Sequence, residues 1–159
     1  MRYQDDYDTP TLKTYCNTLN QRAKSLQAEG QITPEQLLDC ILGSAGACQW
    51  CGVNVVNTEF EIDHIYSLSQ GGPNTQDNIV LACPDCNRRK GEKHPARFAA
   101  EVVARSGNKT PLITRLFSRY DDEVFVQRQM FDDDSHQSIS LSDEDRNDDD
   151  SSVVPPYTW

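Results

Sequence analysis

The sequence predicts a small α+β fold in which a compact unit of two strands and a short helix is flanked on both sides by helices. Three observations lead there. Two C-x2-C pairs, Cys48/Cys51 and Cys83/Cys86, stand 31 residues apart, which is the spacing of a closed four-thiolate metal site. Apolar residues recur at helical intervals before the first pair, at Leu12, Tyr15, Leu19, Ala23 and Leu26, and after the second, at Phe98, Val102 and Val103. Between the pairs the apolar pattern shortens to strand-like stretches.

In chain order, residues 1–9 are polar and expected to be flexible, and 10–46 form a helical scaffold. Its first helix runs from Pro10 to about residue 29, stopped by Gly30. Thr33-Pro34-Glu35-Gln36 reads as a capping box with proline at the first helical position, opening a second helix to about Leu42. Cys16 and Cys40 lie in these helices without C-x2-C partners and are expected to be core thiols. The central module spans 47–94. Val53 and Val55, then Phe60 to Ile65, read as two short strands joined around Asn57. A Gly-Gly-Pro loop turns the chain back before Asn78, and a short helix from Pro84 stops at Gly91. Helices are expected over Pro95 to Arg105 and after Thr110-Pro111, together filling 95–131. Residues 132–159 form an acidic tail, expected to be disordered because almost nothing in it can offset the entropy of ordering. Its aromatic end, V-V-P-P-Y-T-W, is either solvated or a docking peptide for a protein partner.

Two kinds of metal chemistry are written between Cys48 and Gly91. Cys48, Cys51, Cys83 and Cys86 leave no open coordination position, so the zinc they hold would be structural. Asp63, His64, Asn78 and Asn87 offer oxygen and imidazole groups, which suit a hard cation such as Mg2+. Asn87 follows the last zinc cysteine directly, so clamping Cys83 and Cys86 would fix the backbone from which it projects.

The run D-H-I-Y-S-L-S-Q-G-G-P-N-T-Q-D-N-I-V-L-A-C-P-D-C-N-R-R-K-G resembles the HNH endonucleases, and Asn87 in place of the last histidine places the likeness in their H-N-N subgroup. The resemblance implies a ββα-metal module cutting phosphodiester bonds of DNA, one strand per active site, to leave 5′-phosphate and 3′-hydroxyl ends. On that reading His64 is the base, Asn78 orients its ring, and Asp63 with Asn87 holds Mg2+ or Mn2+. Two alternatives stay open: a subunit active only within a larger nucleic-acid-processing or defence assembly, and a non-catalytic zinc module that binds nucleic acid.

The net charge of −10 is unevenly spread. Residues 132–159 carry −8 of it, leaving −2 for 1–131, while Asn87 to Tyr120 is locally +7. Phosphate affinity is therefore expected at Arg88, Arg89, Lys90 and Lys93, beside Asn87. His94 reads as a phosphate contact or a surface residue, and His136 belongs to the tail. C-x2-C pairing without an apolar N-terminal leader argues for zinc in a reducing compartment rather than disulfides. With no apolar run of about 20 residues, the protein is expected to be soluble and cytoplasmic.

Overall fold

A computed structural model describes residues 8–119. The expectations for the first residues, for a helical continuation over 121–131 and for the acidic tail with His136 lie outside the described residues. Five α-helices, two strands and two single 3₁₀ turns make up the described chain, in the order α1 (Thr9–Ser25), α2 (Pro34–Gly43), β1 (Glu61–His64), β2 (Ile79–Ala82), α3 (Pro84–Lys90), α4 (Pro95–Ser106) and α5 over 111–119. This is the expected α+β arrangement.

Local chemistry starts and stops these helices. Asp8 caps α1 by accepting from the Thr11 N–H at 3.3 Å. The capping box of α2 is complete: Thr33 Oγ1 accepts from the Gln36 N–H at 3.2 Å, and Gln36 Oε1 accepts from the Thr33 N–H at 3.0 Å. Helix α1 ends at Ser25, short of the expected residue 29, because Gln27 takes a left-handed φ of 56°. The segment that follows is used differently: the Glu29 carbonyl accepts from the Asn74 N–H at 2.6 Å, which draws this turn against the loop of the central module.

The sheet corrects the sequence reading. The stretch around Val53 and Val55 contributes only an isolated bridge between Ala47 and Asn54, not a strand. The antiparallel partner of β1 is β2, in the register Glu61–Ala82, Ile62–Leu81, Asp63–Val80 and His64–Ile79. All four residues of β2 are buried, so its apolar run has no alternation to read. The outer edge of β1 is covered by α1, where the Ile62 N–H donates to the Tyr15 hydroxyl at 3.2 Å. Helix α2 packs on β2 and α3 on β1.

The core lies between these layers, with Ile32, Leu37, Ile41, Trp50, Phe60, Leu81, Phe98 and Ile113 essentially without solvent contact. Burying each large apolar side chain contributes about 1.5–3 kcal/mol. Cys16 and Cys40 belong to this core: Cys16 donates to the Ile32 carbonyl at 2.9 Å, and burial pushes both thiols up, Cys40 to about 12. Among the described residues no helix is long and apolar enough to cross a membrane.

The loop joining β1 to β2 is closed at its neck by glycine. A Cβ on Gly72 would lie 2.1 Å from the Tyr66 carbonyl oxygen and 2.6 Å from its carbon, both of them backbone atoms. Gly72→Ala should therefore force the neck open and destabilise the fold by about 1–3 kcal/mol, measured as a lower urea midpoint. An unchanged midpoint would show that the neck can spread without loss.

Candidate functional site

The four cysteines of the two C-x2-C pairs converge. Their Sγ atoms all lie within 4.8 Å of one another, Cys48 and Cys86 buried and Cys51 and Cys83 half-buried. Cys51 and Cys83 stand 4.0 Å apart, close to the edge of about 3.8 Å that a tetrahedron with metal–sulfur bonds of about 2.3 Å requires. Hydrogen bonding with Cys48 and Cys86 pulls Cys83 well below the usual thiol range, and hydrogen bonding within the cluster pushes Cys48 and Cys86 up. The all-sulfur donor set suits zinc. The first knuckle is tied to its surroundings as well. The Gln49 N–H donates to the Leu81 carbonyl at 2.8 Å, and Thr110 Oγ1 donates to the Gln49 carbonyl at 2.6 Å. At the second, Cys83 caps α3 by accepting from the Cys86 N–H at 3.4 Å.

Strand β1 carries the second group of residues, and its pleat divides them between two faces. Glu61 and Asp63 point toward α3, where Asn87 Nδ2 donates to Glu61 Oε2 and Lys90 Nζ reaches Asp63 Oδ1 at 3.1 Å. Asp63 Oδ2 accepts from the indole Nε1–H of Trp50 at 2.8 Å. Burial raises the Asp63 carboxyl above its usual range, opposed by the charge of Lys90 and the donor of Trp50.

His64 faces the other way and meets Asn74, with Nε2 and Oδ1 2.9 Å apart. The proton positions follow from backbone groups whose roles are fixed. The Ile32 N–H donates to Asn20 Oδ1 at 3.0 Å, and Asn20 Nδ2 donates to the Ile32 carbonyl at 2.8 Å, so the Asn20 amide has one orientation. Asn74 Nδ2 then donates to Asn20 Oδ1 at 2.7 Å, which turns Asn74 Oδ1 toward the ring. His64 must carry its proton on Nε2, leaving the Nδ1 lone pair free to accept. Burial holds the imidazole below its usual pKa; the Asn74 bond works against this, and the charges of Arg22 and Lys90 add to it.

Several sequence expectations are corrected by these contacts. Asn78 does not orient His64. Its amide is occupied by backbone: Oδ1 accepts from the Tyr66 N–H at 2.8 Å, and Nδ2 donates to the Tyr66 and Pro73 carbonyls at 2.9 and 2.7 Å. Asn78 thus pins the loop, and Asn74, next to the pinned Pro73, partners the ring. Lys90 is not a solvent-facing phosphate contact: it is 1% exposed and paired with Asp63. Lys93 is committed to Glu101 at 2.6 Å, and His94 caps α4 by accepting from the Ala96 N–H at 3.3 Å. Arg89 lies in the groove between α3 and α4, with Glu101 and Arg105. Of the four expected cations, Arg88 is the one that shares a cavity with His64 and Asn87 while making no salt bridge among the described residues. The same cavity is lined by Arg22 of α1, a residue the sequence reading did not single out. The cavity measures about 550 Å3.

A two-stranded hairpin whose following helix is anchored by a four-sulfur cluster is a ββα module with a structural metal site. Residues 48–93 match the family model described as HNH endonuclease. The chain is 38% identical over 66 residues to the type IV methyl-directed restriction enzyme EcoKMcrA of Escherichia coli strain K12, covering 38% of this chain and 23% of that protein. It is 40% identical over 45 residues to the CRISPR-associated endonuclease Cas9 of Corynebacterium diphtheriae, covering 28% of this chain and 4% of that one. The matched part is thus under a quarter of either relative's length. Among solved structures, the type IV phosphorothioation-dependent restriction endonuclease ScoMcrA aligns at a TM-score of 0.35 and 16% identity, covering 64% of this chain and 24% of that one.

Removing one sulfur tests the metal centre. In zinc-finger peptides metal binding supplies about 10–16 kcal/mol that is also folding free energy. Cys83→Ser should therefore lower zinc stoichiometry by metal analysis and abolish the sharp thermal transition. Full zinc content in the variant would mean that another ligand set holds the ion.

Proposed function

We propose that this chain is a divalent-metal-dependent endonuclease that hydrolyses phosphodiester bonds of DNA, nicking one strand per active site and leaving 5′-phosphate and 3′-hydroxyl ends. The observation that carries the reading is His64. It is a histidine with its protonated nitrogen held by Asn74 and its other nitrogen free, in a cavity with two unpaired arginines among the described residues. The match to the HNH model and the likeness to two named endonucleases support it.

His64 is the general base. Its Nδ1 takes a proton from water as the water oxygen bonds to phosphorus; the phosphorus–O3′ bond breaks, and the departing oxygen is protonated from solvent. A ring held below its usual pKa is neutral at physiological pH and ready to accept. Asn74 and Asn20 keep it in the tautomer the step needs. Arg22 and Arg88, which both line the cavity, bind the strand's phosphates.

The oxygen groups of Asp63 and Asn87 fit Mg2+ or Mn2+ better than a soft metal. Asp63 accepts one hydrogen bond on each oxygen, leaving a lone pair on both. When bound there, the cation supplies charge neutralisation at the phosphate and stabilisation of the leaving oxygen. Glu61, in contact with the Asn87 amide, adds a second carboxylate beside it.

Incubating the purified protein with supercoiled plasmid in Mg2+ should convert it to open circles, and EDTA should prevent this. His64→Ala should lower the nicking rate by about 10²–10⁴-fold with zinc content and thermal transition intact. Undiminished nicking by this variant would refute the mechanism. Asn87→Ala should lose activity through the metal and recover part of it at high Mn2+. In the His64→Ala background, Arg22→Gln and Arg88→Gln should each weaken DNA binding and reduce the slope of log affinity against log salt by about 1.

A further inference from the structure

We propose that Trp50, inside the Cys48–Cys51 knuckle, is a positioning residue for Asp63, so that the structural metal site sets the orientation of the carboxylate in the hydrolytic site. The inference rests on the reading of Asp63 as a ligand of the divalent cation.

A carboxylate on a strand has a broad second side-chain torsion, so the plane of its two oxygens is set by what they bond to. Asp63 has two such partners, Trp50 on Oδ2 and Lys90 on Oδ1. They are not equivalent. The ammonium of Lys90 opposes the approach of a dication to the same group, whereas the indole N–H is neutral and fixes the plane without that opposition.

The indole is itself immobile. Trp50 has no solvent exposure, and its ring meets Phe98 edge to face at 5.0 Å between centroids, with 77° between planes. The backbone on either side is fixed by the sulfurs of Cys48 and Cys51 and by the two backbone bonds of Gln49. The indole therefore cannot turn unless the knuckle moves. A core aromatic at this position needs only shape, which phenylalanine nearly supplies; the N–H aimed at Asp63 is what phenylalanine lacks. Through it the first cysteine pair acts on β1, as the second pair acts on Asn87 through α3.

The test uses the full chain with Trp159→Phe, since the sequence has two tryptophans and Trp50 then gives the single indole N–H resonance. Mn2+ added without DNA should broaden that resonance as the site fills, and should fail to do so in Asp63→Asn. Trp50→Phe should weaken Mn2+ binding, measured by calorimetry, about 10–100-fold while zinc content is unchanged. Replacing Trp50 by 3-benzothienylalanine, which keeps the indole shape and puts sulfur in place of N–H, should give the same loss. It decides the matter if Trp50→Phe sheds zinc. Parental Mn2+ affinity in the benzothienyl protein, with binding still lost in Asp63→Asn, would overturn the positioning role and leave the metal reading standing. Parental affinity in Asp63→Asn would overturn the metal reading, and this inference with it.

Discussion

Four cysteine sulfurs converging to a cluster that suits one metal ion set the constraint on which the rest of this molecule depends. The cysteines come from two places in the chain 31 residues apart, and both strands lie between them. Closing such a loop costs entropy that a two-stranded sheet of four residues per strand cannot offset by itself. A closed sulfur site offsets it, and everything attached to the two knuckles inherits their rigidity. Asn87 sits one residue beyond Cys86, and Trp50 sits between Cys48 and Cys51. The partners of Glu61 and Asp63 on β1 are therefore held from two directions by the same four-cysteine cluster.

The second organising element is the loop from Tyr66 to Asn78. Its neck is closed by Gly72 and by the three backbone contacts of the Asn78 amide. Its far side is held by α1 and the turn after it, through Asn20 and the Glu29 carbonyl. Asn74, wholly buried, is fixed from both sides and passes that order to His64. Position and proton placement of the imidazole thus come from amide groups, while burial, with the charges of Arg22 and Lys90, holds its pKa below the usual value.

Much of this was legible in the sequence wherever chemistry and spacing coincide. The C-x2-C pairs, the capping box at Thr33 and the helix starts at Pro34, Pro84 and Pro95 all announce themselves through residues that act on near neighbours in the chain. What was not legible is what acts at a distance. Strand β2 hid because a short run buried on both faces lacks alternation, and Val53 and Val55 alternate without pairing in a sheet. Asn78 and Asn74 are four residues apart in one polar loop, and only the folded neck shows that the first bonds backbone and the second the ring. Lys90 belongs to a basic run that reads as one solvated face, but α3 turns Arg88 toward the cavity and Lys90 into β1. Trp50 drew no expectation from the sequence; that its N–H is aimed at a carboxylate 13 residues on depends on a register that no local pattern encodes.

The dependence of Asn74 on Asn20 has a consequence for where the working unit ends. The segment matched by the family model begins at Cys48, yet the amide that fixes the orientation of Asn74 lies 28 residues earlier, on α1, and the same helix carries Arg22, which lines the cavity. A graft of residues 48–93 onto another protein would carry the histidine, the four cysteines and Asn74, but leave the Asn74 amide free to flip and the histidine's proton free to move between nitrogens. The transferable part is longer than the recognisable part, and any fusion built from this chain has to begin ahead of α1.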